Sequence, residues 1–138
     1  MSKNFIRVDE QLIMDEFICL VDRFHDAILR EIGIISQGYV DTNGYVFSDC
    51  WPNNARLVIH SQFLETPYIE VIFEDIKSFR WESGWDLDPA YGIVVPSEVK
   101  LMFGPYQEKF MISGKKMKYR ILGREFLGKE CRTVQQIF

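Results

Sequence analysis

The stretch Tyr68–Trp81, Tyr-Ile-Glu-Val-Ile-Phe-Glu-Asp-Ile-Lys-Ser-Phe-Arg-Trp, leaves this chain the least freedom. Ile69, Val71 and Phe73 fall on one side of an extended backbone, and Glu70 and Glu74 on the other. That is the two-residue period of a strand with one face on a core. The phase slips at Glu74-Asp-Ile76 before Phe79 and Trp81 return to the original side. A bulge or short turn at Asp75 is therefore expected, re-aiming the strand without ending the sheet. The stretch predicts a central strand, with Trp81 in the core.

The flanking segments supply its neighbours. Asp9 suits an N-cap, with Val8 and Ile13 spaced as a hydrophobic staple and Glu10 placed to meet the helix dipole. Ile13, Phe17, Leu20, Val21 and Phe24 recur at helical spacing, which gives one amphipathic helix. Two endings compete. The stripe can run on through Ala27, Ile28 and Ile32 to Gly33, or His25-Asp26 breaks the helix and Ala27–Val40 is a strand. The β-branched Ile32, Ile34 and Ile35 favour the strand. Asp41-Thr-Asn-Gly44, between Tyr39-Val40 and Tyr45-Val-Phe47, is a hairpin signal, because Asn-Gly accepts the positive φ of a tight turn. Arg56–Phe63 sets Leu57, Ile59 and Phe63 against Arg56, His60 and Gln62, and Glu65-Thr-Pro67 turns it into the Tyr68 strand.

Beyond Trp81, the acidic Glu82–Pro89 stretch is the longest expected loop. Three alternating segments then follow at short intervals: Glu98–Phe103, Phe110 with Ile112, and Lys116–Ile121, the last two separated by Gly114. Such spacing predicts a β-meander. No repeat, linker or low-complexity tract divides residues 1–138. The expectation is one α+β domain: an antiparallel sheet of about six to eight strands with one N-terminal helix packed on it.

Charge and cysteine content bound the function. The net charge of −4 exerts no general pull on nucleic acid or anionic membrane. Its distribution is lopsided: residues 1–100 carry 8 Lys and Arg against 17 Asp and Glu, and residues 101–138 carry 8 against 3. Eleven Phe, six Tyr and three Trp provide enough apolar surface to offset the entropy of ordering. Cys19, Cys50 and Cys131 are odd in number and form no Cys-x-x-Cys pair, so a reducing cytoplasm is expected rather than a disulfide framework. Met1–Arg7 lacks the apolar run of a signal peptide, and Phe17–Val21 falls far short of the roughly 20 residues of a membrane span.

Candidate chemistry is sparse. No Gly-rich phosphate loop, Gly-x-Ser-x-Gly elbow or His-Glu-x-x-His is present, and neither cofactor nor metal is expected. His25 and Asp26 would face opposite ways on a strand and meet only at a helix end, where a capping pair is the simpler role. Cys50 with His60, oriented by Asp49, is an alternative nucleophile and base; with His25 and Asp26 it forms the enzyme or small-ligand reading. Trp51 and Trp85 lie in expected loops beside Asp49, Asp86 and Asp88, an acidic aromatic combination suited to a basic protein surface. The Lys115-Lys-x-Lys-x-Arg120 stripe fails as a nucleic-acid face because Tyr119 points away from Lys118 and Arg120, leaving a solvated face or a lysine-guarded edge. A self-pairing sheet edge is a third possible role.

Phe24-His-Asp-Ala-Ile-Leu29 and Ile69-Glu-Val-Ile-Phe-Glu-Asp-Ile-Lys-Ser-Phe79 resemble a loose class of small bacterial proteins that includes immunity proteins of polymorphic toxin systems. The resemblance covers residues 24–80 in outline and carries no site residue with it. It implies a non-enzymatic, partner-binding role in a bacterial cytoplasm. From the loops and the His-Asp pair themselves, the expected binding residues are Trp51, Trp85, Asp86, Asp88, His25 and Asp26, with another protein as partner.

Overall fold

A computed structural model describes residues 4–36, 38–47, 53–82, 87–104 and 110–127. In chain order the elements are β1 (Ile6–Arg7), α1 (Gln11–Leu20), β2 (Ala27–Ile35), β3 (Tyr39–Val40), β4 (Val46–Phe47), β5 (Asn54–Ser61), β6 (Tyr68–Arg80), β7 (Ala90–Val95), β8 (Glu98–Phe103) and β9 (Met111–Leu122). Seven strands make one sheet in the order β2-β5-β6-β9-β8-β7, with β1 also against β9 and every pair antiparallel. β3 and β4 form the separate Asp41–Gly44 hairpin, in which Gly44 takes φ 85° and the Asp41 carboxylate accepts from the N–H groups of Asn43 and Tyr45. The α+β architecture and the central place of β6 are as the sequence predicts.

Alternation along the strands makes the core. Leu57 and Ile59 of β5, Ile69, Val71 and Phe73 of β6, Leu101 of β8, and Ile112 and Met117 of β9 are buried together under Met14 and Phe17 of α1 and Val21 at its C-cap. The helix starts one residue later than expected. Val8 donates its N–H to the Met117 carbonyl at 2.9 Å and is drawn into the core, so Glu10 rather than Asp9 holds the cap position. The buried stripe includes Met14, while Leu20 is exposed.

Two features of β6 are worth contrasting. Asp75 takes φ 58°, with its N–H bonded to Asn54 Oδ1 at 3.1 Å, and the register with β9 shifts between Ile76 and Ser78. This is the expected slip. Trp81, however, is 52 % exposed: the ladder ends at Arg80 opposite Met111, so its parity leads past the core. Phe63 is likewise exposed, beyond the end of β5.

Two strands depart from the sequence reading. β7 was not expected, because its inward positions are Ala90, Gly92 and Val94 and the alternation is faint. A Cβ on Gly92 would collide with Met14 Sδ, so the helix side chain fills the space the glycine leaves. β9 runs unbroken through Gly114, where a Cβ would meet the Glu74 carbonyl oxygen at 2.9 Å, so this glycine permits close strand approach instead of a turn. β9 also lies inside the sheet, so its lysines guard no edge.

Candidate functional site

Helix α1 stops in a left-handed turn. Asp22, Arg23, Phe24 and Asp26 have φ of 52°, 53°, 61° and 53°. The aspartates tolerate this conformation, but Arg23 and Phe24 are held in it at a cost of roughly 1–3 kcal/mol each. Full burial of Phe24, edge-on to Phe17 at 5.8 Å and tilted against Phe103 at 5.6 Å, offsets the cost. The Phe24 ring thus pins the turn and turns its neighbours outward.

The turn brings His25 between two carboxylates. Nδ1 lies 3.2 Å from Asp88 Oδ2 and Nε2 lies 3.3 Å from Asp26 Oδ2. Asp88 is presented by the 87–89 segment, which buried Leu87 and the Gly104 N–H, shared between the Leu87 and Pro89 carbonyls, hold against the sheet. The Asp88 hydrogen bond, then the Asp26 charge, raises the His25 pKa above its ordinary value. With a carboxylate at each ring nitrogen, the imidazolium is favoured and neither nitrogen is free to serve as a base. The two carboxylates also sit on opposite sides of the ring; among the described residues no His, Cys, Asp and Glu group is arranged to hold a metal ion.

Beside this turn a groove of about 500 Å³ runs between α1 and β7. Ile18, Tyr91, Ile93 and Met102 give it apolar walls, Asp15 and Asp22 an acidic margin, and Cys19 and Arg23 complete it. Gln11 sets its width: the side-chain amide donates to the Gly92 carbonyl at 2.9 Å and its oxygen accepts from the Val94 N–H at 2.8 Å. One glutamine thereby occupies backbone groups on the edge of β7 much as a further strand would. An incoming strand is kept from these groups, and the groove is left to side chains.

Much of the remaining acidity is neutralised on the opposite face of the sheet. Buried Glu70 lies 3.3 Å from Arg56 and 3.2 Å from Arg120; Arg56 also meets Glu31 at 3.2 Å, and Lys118 meets Glu74 at 3.5 Å. Burial works against the Arg56 charge, but the Glu70 and Tyr68 partners outweigh it and raise its pKa. Tyr119 is on the core side, away from Lys118 and Arg120, and the aromatic that meets those cations is Phe5, whose ring centre lies 4.9 Å from Lys118 Nζ and 4.6 Å from the Arg120 guanidinium carbon. Asp15, Asp22, Asp26 and Asp88, by contrast, gather around the groove and the end of α1.

Of the residues picked from the sequence, His25, Asp26 and Asp88 are brought together. Trp51, Trp85, Asp86, Asp49 and Cys50 lie outside the described residues. His60 is on the outer face of β5, its ring 5.4 Å from that of Tyr68. Sequence reading missed Asp15, Cys19 and Asp22 as groove residues. The signal was available, since Asp15, Ile18, Cys19 and Asp22 repeat at helical spacing beside the buried stripe. No helix among the described residues is long and apolar enough to cross a membrane. Comparison with protein-family models, with curated proteins and with solved structures finds no match to this chain.

Proposed function

We propose that this chain is a non-enzymatic protein-binding module of a bacterial cytoplasm, acting as an immunity-type inhibitor that captures and occludes a basic toxin. The observation that carries the reading is the groove between α1 and β7, with apolar walls margined by Asp15 and Asp22 and adjoined by the Asp26–His25–Asp88 cluster. It suits one large apolar side chain of a partner flanked by lysine or arginine. The carboxylates steer the cationic surface in and the apolar walls hold it. A standard protein interface buries about 1,600 Å², more than the groove alone supplies. Trp85 and Asp86, which adjoin Asp88 in the chain, and Trp51 are proposed to extend the contact.

Affinity capture at low salt with the wild type and with Asp15→Lys/Asp22→Lys tests the reading. The wild type should retain a basic protein that 0.5 M salt, an ionic strength with a Debye length below about 8 Å, releases; the charge-reversed variant should lose it. Retention of the same protein by both would sink the proposal, as would a captured partner that is acidic.

A further inference from the structure

A second cavity, of about 510 Å³, opens at the other end of α1, where β9 changes partner. β8 pairs with β9 over Met111–Gly114 and β1 pairs over Lys118–Tyr119. Between them, on the side of β9 away from β6, Lys115, Lys116 and Met117 pair with no described strand, apart from the Val8 N–H that bonds the Met117 carbonyl. Val94, Val95 and Pro96 give the cavity its accessible apolar floor, with Val8, Val99 and Met117 buried beneath it, and Arg7, Lys115 and Lys116 stand around the opening.

Those three cations differ from four other basic residues of the sheet. Arg56, Arg120, Lys118 and Lys100 are each within 4 Å of a glutamate. Arg7, Lys115 and Lys116 have no ion pair among the described residues. Register explains one of them: Glu74 is the strand partner of Lys116, but its carboxylate is engaged by Lys118 at 3.5 Å. Asp9 also lines the cavity, leaving a surplus of two positive charges and an acceptor for a ligand hydroxyl. In a chain of net charge −4 this is a local reversal of sign over an apolar floor.

We infer that this cavity is a binding site for a small organic phosphate monoester, its dianionic head held by Arg7, Lys115 and Lys116 and its apolar body resting on Val94, Val95 and Pro96. Two surplus cations match a dianion, and the volume lies within the roughly 300–1,000 Å³ of small-molecule sites. The site is independent of the α1–β7 groove.

Titration of the ¹⁵N-labelled protein with phenyl phosphate, followed by NMR, tests the inference, with inorganic phosphate and benzyl alcohol as the two half-ligands. Phenyl phosphate should shift the amides of residues 7–9, 94, 95, 97–99 and 115–117. It should bind at least about ten-fold more tightly than either half-ligand, and Lys116→Glu should weaken it by roughly ten-fold or more. Arg7→Gln provides the same readout in a second background should Lys116→Glu lower the melting temperature. The site is refuted if inorganic phosphate binds as well as phenyl phosphate, if the shifts fall elsewhere, or if both variants bind like the wild type.

Discussion

The two faces of the central sheet are built from alternate residues of the same strands and obey different physics. On the helix side Leu57, Ile59, Ile69, Val71 and Phe73 pack without a polar atom among them. On the other side Arg56, Glu70 and Arg120 occupy intervening positions of β5, β6 and β9 and form one ionic chain with Glu31. The inner face supplies stability that depends on shape and volume. The outer face neutralises charge and buries Glu70 at 4 % exposure, where removing one partner leaves the others facing each other. It also draws Glu31, Glu70 and Glu74 out of the surface field, whereas Asp15 and Asp22 at the helix end have no ion pair among the described residues.

The inner face should give the largest effect. Phe73 is fully buried opposite Ala55 on β5 and Met117 on β9. Phe73→Ala should cost about 3–5 kcal/mol, a large share of the roughly 5–15 kcal/mol of a typical domain, read as a fall in the urea midpoint. On the outer face Glu70→Leu should cost less, about 1–3 kcal/mol, because Arg56 and Arg120 keep about a third of their side-chain surface and water screens part of the repulsion. Replacing both arginines by Met in the Glu70→Leu background should recover stability. If Glu70→Leu costs as much as Phe73→Ala, or the double replacement deepens the loss, the two faces do not divide the work in this way.

How much of this was legible in the sequence follows the same division. The inner face reads directly, because Ile69-x-Val71-x-Phe73 and Leu57-x-Ile59 repeat at the period of the pleat. Even the Asp75 slip leaves a visible change of phase. β7 was illegible because its inward positions are small: Gly92 matters through Met14, 78 positions away in the chain, and no local pattern records that. Trp81 has the right parity and the wrong place, since alternation fixes the side of a sheet but not where the covering layer ends. The groove was half-legible. Asp15, Ile18, Cys19 and Asp22 show a face, but only the packing of α1 beside β7 through Gln11 makes it concave.

The smallest expected effect compares an exposed ion cluster with the buried one. His25, with 57 % of its side chain exposed, has carboxylates at both nitrogens, as Glu70 has arginines at both sides, but in water. Its pKa is raised, chiefly by the hydrogen bond to Asp88 and then by the charge of Asp26. A raised folded-state value means that the folded protein binds the proton more tightly than the unfolded chain does. The stabilisation is therefore complete below the unfolded value of about 6.5 and is lost as pH rises through the higher folded one. His25→Gln should melt below the wild type at pH 5 and nearly with it at pH 9, by a margin smaller than Glu70→Leu shows at any pH. Melting curves across that range check both the sign and the order. A deficit growing toward alkaline pH would mean that neutral His25 supports the turn and that the two carboxylates do not hold it as a cation.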